Sequence, residues 1–259
     1  MRYLIAAALT LFAVPAVADD LSEATLQDRY CYGVKSYKKQ LRKMDKLDAD
    51  RRDTVGPVMQ ISFDFEPGEA TPDSVQFRPD SDASPTSVFT IERTGDVGRT
   101  PNLADALRAA SETDRLCVID PSRKGRRWGA LGYKVQTGVG VQFLATPGTH
   151  SMAELEDGTR DGRKHWKTMA GAMGFMVPTF DHVAVASDER DSPPVVTALK
   201  DGAAIGAVEG EIYDGARMVP LEALEEMGAD AIRVEAEHYR LTPSPDAKTV
   251  ARFAGGGDG

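Results

Sequence analysis

Met59-Gln60-Ile61-Ser62-Phe63-Asp64-Phe65-Glu66 alternates apolar and polar side chains without a break. A period of two puts Met59, Ile61, Phe63 and Phe65 on one face of an extended chain and their polar neighbours on the other, which predicts a half-buried strand. The alternation returns at Val135, Thr137, Val139, Val141 and Phe143 and predicts the longest strand, over residues 133 to 144. Shorter strands are expected around Val75 and Phe77, from Val88 to Glu92, from Leu116 to Ile119 and from Val183 to Ala186. Asp214-Gly215 predicts a hairpin between Gly206 to Tyr213 and Ala216 to Val219, and a further strand is expected from Ala231 to Leu241.

Helical spacing interrupts these strands. Leu26, Tyr30, Val34, Tyr37, Leu41 and Met44 recur at steps of three and four, predicting a long N-terminal helix over residues 20 to 47. Asn102 is placed to cap a helix from Leu103 to Ala110. Beyond Pro147-Gly148 a helical stretch is expected to break at Asp157-Gly158 and resume from Arg163 to Met173. Further helices are expected near Val195 to Leu199, on Leu221 to Met227 and close to the C-terminus. Short strands joined by tight turns, with helices inserted singly, predict an α+β fold with a mostly antiparallel sheet. The acidic, proline-bearing stretch Asp188 to Pro194 is a candidate linker between a domain over residues 19 to 188 and a smaller unit over 195 to 254. Gly255 to Gly259 reads as a flexible tail.

The first residues predict export. Arg2 precedes the apolar run Tyr3 to Val14, and Ala16-Val17-Ala18 offers a small-residue cleavage site, the three parts of a signal peptide over residues 1 to 18. No later stretch is apolar enough to span a bilayer, so no transmembrane segment is expected after signal removal. The chain of 259 residues carries a formal charge of -9, which disfavours nucleic acid as a partner. Residues 35 to 52 go against that balance, with Lys35, Lys38, Lys39, Arg42, Lys43, Lys46, Arg51 and Arg52 facing only Asp45, Asp48 and Asp50. Cys31 and Cys117 are the only cysteines. In an oxidising compartment they are expected to form one disulfide, tying the N-terminal helix to a strand.

Catalytic signatures are missing. The sequence holds no G-x-S-x-G, no phosphate-binding G-x-x-x-x-G-K-[ST], no H-E-x-x-H and no C-x-x-C. Gly138-Val139-Gly140 lies inside an alternating strand, and Asp80-Ser81-Asp82 has Pro85 where a calcium loop needs glycine. Among the histidines, His182 beside Asp181 is the one to test as a general base, with Glu235 as a further carboxylate, although neighbours on a strand point to opposite faces. His165, Met169, Met173 and Met176 fall at helical steps, an arrangement of soft ligands for copper. Buried packing of these methionines is the favoured reading.

The remaining concentration of chemistry is Arg123-Lys124-Gly125-Arg126-Arg127-Trp128, four cations and an indole between two expected strands. Guanidinium groups fork onto carboxylates and phosphates, and an indole stacks on a sugar or ring, so the loop suits an anionic glycan, a lipid headgroup or an acidic protein. The reading that follows is an exported, soluble, non-enzymatic cell-envelope protein, periplasmic in preference to fully secreted, that binds a partner or anionic ligand through Arg123, Lys124, Arg126, Arg127 and Trp128. The alternatives are an envelope hydrolase and copper handling. No residue pattern implies a cofactor.

Overall fold

The computed structural model describes residues 29–47, 54–79, 84–123, 131–144, 148–187, 193–213, 215–236 and 239–254. Among these, sixteen strands form four antiparallel sheets of four strands each, with helices inserted singly. The chain divides into two compact units: described residues 29–43 and 58–139 make one, and 44–57 with 140–254 make the other.

β2 (Val55–Phe65), which belongs to the first unit from Val58 onward, is the alternating strand expected from its sequence, with Met59, Ile61, Phe63 and Phe65 buried. It lies in the sheet β5-β6-β2-β8, built with β5 (Glu92–Thr94), β6 (Val97–Arg99) and β8 (Tyr133–Phe143). The Tyr133 ring meets Phe63 and Phe65 edge-on at 5.8 and 5.6 Å, and the Arg93 guanidinium covers the outer side of Phe65 at 4.1 Å. Asn102 accepts at Oδ1 from the Ala104 amide at the start of α2 (Ala104–Ala109) and from the Met59 amide on β2, both at 3.0 Å, so one side chain caps the helix and fixes it to the sheet. The expected strand from Val88 to Glu92 is divided between β4 (Ser87–Phe89) and β5.

The second sheet runs β1-β7-β3-β4, with β1 (Arg29–Gly33), β7 (Arg115–Ile119) and β3 (Ser74–Arg78). Here the long N-terminal helix is corrected. Among the described residues it is reduced to α1 (Lys35–Met44), and β1 precedes it. Val34, Tyr37, Leu41 and Met44 do form the buried face that their spacing predicts. Upstream of them Gly33, the weakest helix former after proline, separates a stretch whose Cys31 stands directly opposite Cys117 on β7. The two cysteines are disulfide-bonded, and the bridge joins strand to strand. The cations of α1 are turned to its neighbour: Lys38 Nζ donates to the Arg108 and Ala110 carbonyls at the end of α2, and Arg42 pairs with Glu112 at 2.7 Å.

In the second unit β9 (Thr149–Ser151), β15 (Ala231–Glu235), β11 (Val195–Lys200) and β12 (Ala203–Ala207) make one sheet. β13 (Glu211–Tyr213), β14 (Ala216–Pro220), β10 (His182–Ser187) and β16 (Tyr239–Ser244) make the other. The expected helix at Val195 to Leu199 is β11, a central strand whose Val196 to Leu199 are all buried, so no alternation marks it. It turns into β12 through Asp201 (φ 50°) and Gly202 (φ 78°), the left-handed pair that a two-residue hairpin requires. The strand expected from Ala231 to Leu241 is split into β15 and β16, which lie in different sheets. The strands on either side of the candidate linker, β10 and β11, fall in the same unit, and residues 188–192 lie outside the described residues. Two short helices complete the unit, α4 (Leu221–Glu226) and α5 (Ala247–Ala254).

The longest helix is α3 (Met152–Ala170), and it runs without a break through Gly158. The glycine expected to end it is there for contact. A Cβ at Gly158 would lie 1.9 Å from the Phe143 ring, and one at Gly162 would lie 2.5 Å from Pro243 Cβ. Glycines four residues apart share one helix face, and that face rests directly on β8 and β16.

Candidate functional site

Of the loop residues expected to bind an anion, Arg123 closes a 3-10 turn over Pro121–Arg123, and Lys124, Arg126, Arg127 and Trp128 lie outside the described residues. The entrance to the loop is firmly set. Asp120 is buried, accepting from the Tyr133 hydroxyl at 2.8 Å and from Ser122 Oγ at 2.5 Å.

A second collection of cations lies on α3. Ser151 caps the helix by accepting from the Glu154 amide at 3.2 Å, Glu154 sits in the first turn and Lys167 in the last, each sign matched to the helix dipole. Gly171, at φ 57° and ψ -121°, ends it in a positive-φ conformation that glycine adopts without a Cβ clash. Met152, Leu155, Gly158, Gly162, His165 and Trp166 face the core. The remaining face carries Arg160, Arg163, Lys164 and Lys167, which with Thr179, Phe180 and Leu221 line a concavity of about 390 Å³. Glu156 is the one acid in its wall.

These cations are not equivalent. Arg160 is paired with Asp157, and Lys164 with the buried Asp161 at 3.0 Å. Arg163 donates from Nε to the Pro178 carbonyl at 2.7 Å and clasps the returning chain, with no carboxylate partner among the described residues. Lys167 is exposed and has no carboxylate partner among the described residues. The cleft therefore combines a fixed guanidinium, a free ammonium and an apolar floor from Phe180 and Leu221. That combination suits an anionic group attached to an apolar or ring-shaped body.

The His165 and methionine face does not form. The helix ends at Ala170, a 3-10 turn follows over Gly171–Met176, and helical spacing therefore stops carrying side chains onto one side. His165 is buried, with Nδ1 2.9 Å from the Asp161 carbonyl, whereas Met173 and Met176 are exposed. Packing in the core, the favoured reading of those two methionines, is thus corrected. Among the described residues no three His, Cys, Asp or Glu side chains are grouped to hold a metal ion.

Asp181 and His182 do meet, with Oδ1 and Nδ1 2.6 Å apart. Strand alternation does not separate them because Asp181 precedes β10, and its carbonyl instead accepts from the Leu221 amide at the start of α4. Glu235 is not brought to them; it accepts from Thr197 Oγ1 at 2.9 Å in the other sheet. Asp246 is tied to the group electrostatically. The Thr249 hydroxyl and amide, at 2.6 and 2.8 Å, hold its carboxyl below the ordinary range, and the His182 imidazole adds a smaller pull in the same direction. A lowered folded-state pKa stabilises the protein near neutrality, and the contribution is lost as pH falls through that value. Asp246→Ala, which also removes the cap of α5, is expected to cost about 1 kcal/mol at pH 7 and visibly less at pH 3, read by thermal melting. A difference independent of pH would contradict this.

One polar chain has no counterpart in the sequence reading. Buried His150 lies 2.7 Å from the Tyr239 hydroxyl through Nε2 and 3.5 Å from the Glu154 carboxylate through Nδ1, and the same hydroxyl accepts from the Gly148 amide at 2.6 Å. Burial and the nearby Glu154 carboxylate push the phenol above its ordinary value, against the lowering effect of the Gly148 bond. The spacing of Ser151 and Glu154 as a capping pair is the signal that could have pointed to one end of it.

Comparison with family models, with curated proteins and with solved structures finds no match for the chain.

Proposed function

We propose that this is an exported, non-enzymatic cell-envelope protein that binds an anionic ligand. The observation that carries the reading is the cleft on α3, where Arg163 and Lys167, without a carboxylate partner among the described residues, present charge beside the apolar surface of Phe180 and Leu221. Export is supported by the signal-like first 18 residues and by a disulfide that persists only where thiols are not kept reduced. The Arg123 to Trp128 loop remains a second proposed contact, carried by its sequence. A hydrolase reading has one observation in its favour, the Asp181–His182 hydrogen bond, but no nucleophile bonded to that imidazole is present among the described residues.

Retention on a sulfated-glycan (heparin) column under a salt gradient tests the proposal. Lys167→Gln is expected to elute at lower salt than wild type with its melting temperature nearly unchanged, and Arg126→Ala with Arg127→Ala tests the loop in the same run. Arg163 is left in place because it holds the chain after α3. Elution of wild type and both variants together would overturn the proposal.

A further inference from the structure

In a chain with 40 acidic residues, none lies between Asp161 and Asp181, while Arg163, Lys164 and Lys167 do. The same stretch holds the most exposed large apolar side chain among the described residues. Phe175 is 82% exposed, with Met173 and Met176 at 48% and 46%, all on the turn Gly171–Met176 that follows α3. Exposed apolar side chains scattered singly are ordinary, but three within four residues of one turn form a patch.

This turn is built to hold them outward. The Gly171 amide bonds the Lys167 carbonyl, and buried Gly174 comes so close to that carbonyl that a Cβ would lie 2.9 Å from it. The Val177 amide bonds the Gly174 carbonyl at 3.3 Å, Val177 itself is buried, and Arg163 clamps the Pro178 carbonyl. Anchors inside and apolar side chains outside give a protrusion of fixed shape. Its base is Lys167, which is itself exposed and free of a carboxylate partner among the described residues.

We infer that the Gly171–Met176 turn is a docking element for an anionic lipid surface. Phe175, Met173 and Met176 enter the headgroup boundary while Arg163, Lys164 and Lys167 face the anionic headgroups. An apolar projection rimmed by cations is the arrangement that combines apolar burial with attraction to anionic lipid. Charge complementarity argues for anionic lipid: the stretch between Asp161 and Asp181 carries Arg163, Lys164 and Lys167 and no acid, so its local charge opposes the chain's overall sign beside the apolar turn. The inference rests on the anion-binding reading of α3 and names the surface that presents the anion.

Sedimentation of the full mature chain with vesicles of phosphatidylglycerol and phosphatidylcholine tests it. Wild type is expected to bind vesicles rich in phosphatidylglycerol, to release in high salt and to ignore pure phosphatidylcholine. Phe175→Ser is expected to weaken vesicle binding about tenfold. It should leave heparin retention and the melting temperature unchanged, since the side chain lies in solvent. Lys167→Gln is expected to reduce both vesicle binding, about fivefold, and heparin retention. Wild-type retention on heparin without vesicle binding, or vesicle binding indifferent to Phe175→Ser, would overturn the docking element and leave the anion-binding proposal standing. Loss of both wild-type interactions would overturn both.

Discussion

Removal of the Cys31–Cys117 bridge is expected to lower the melting temperature of the unit that contains it by on the order of 10–20 °C. The two residues are separated by 86 positions, and closing a loop of that length in the unfolded chain is worth about 4.6 kcal/mol by chain entropy alone. The engineered comparison is Cys31→Ala with Cys117→Ala. Alanine is the right replacement because Cys117 is buried between β1 and β3, where a serine hydroxyl would add a desolvation cost unrelated to the cross-link. Calorimetry of the oxidised protein beside the double variant checks the expectation. Midpoints within about 3 °C of each other would mean that the pairing of β1 with β7 holds the unfolded-state loop closed without the bond.

The second large effect runs against helix propensity. Alanine at Gly162 improves the intrinsic helix preference by about 1 kcal/mol. Its Cβ, however, would lie 2.5 and 2.6 Å from two ring carbons of Pro243, a rigid side chain on β16 that cannot swing aside. Gly162→Ala is therefore expected to destabilise by about 1–3 kcal/mol, with Gly158→Ala in the same direction through the buried Phe143 ring. Gly33→Ala is the control, since a Cβ there meets nothing within 4 Å. Urea unfolding that found Gly162→Ala more stable than wild type would show that α3 can move off the sheet at no cost.

These same glycines show where sequence stops being informative. Met59 to Phe65 could be placed because its pattern arises from one wet face and one dry face, a property of the strand itself. Val34, Tyr37, Leu41 and Met44 are equally readable, but the expected helix begins at residue 20, whereas residues 29–33 form β1, where pairing of Cys31 with Cys117 overrides the helical spacing, and residues 20–28 lie outside the described residues. Gly158 looks like a helix breaker because the ring it accommodates, Phe143, belongs to another strand. Val196 to Leu199 is buried on both faces and carries no period to recognise, although Asp201-Gly202 after it is the stronger signal of a hairpin. The site divides similarly. Asp181 and His182 stand out as neighbours, but their hydrogen bond depends on where the strand begins. The cationic face of α3 is not marked in the sequence because Arg160, Arg163, Lys164 and Lys167 have the spacing of any solvated helix face, and the concavity they line depends on the chain that returns at Thr179 and Phe180.

The division of the chain has a consequence for how it acquires its structure. β2 begins in one unit and ends in the other, β8 does the same, and the residues between Val58 and Val139 interrupt a unit that needs both Met44–Pro57 and Gly140 onward. Pairing of this kind closes long loops before any of its contacts can form, which places folding toward the slow, millisecond-to-second regime of sheet proteins with high contact order. A ribosome or translocon that delivers this chain from its N-terminus therefore releases every residue of the inserted unit by Val139, while Met44–Pro57 must wait for the strands after Gly140. The protein matures from the inserted unit outward, with the surrounding unit closing last.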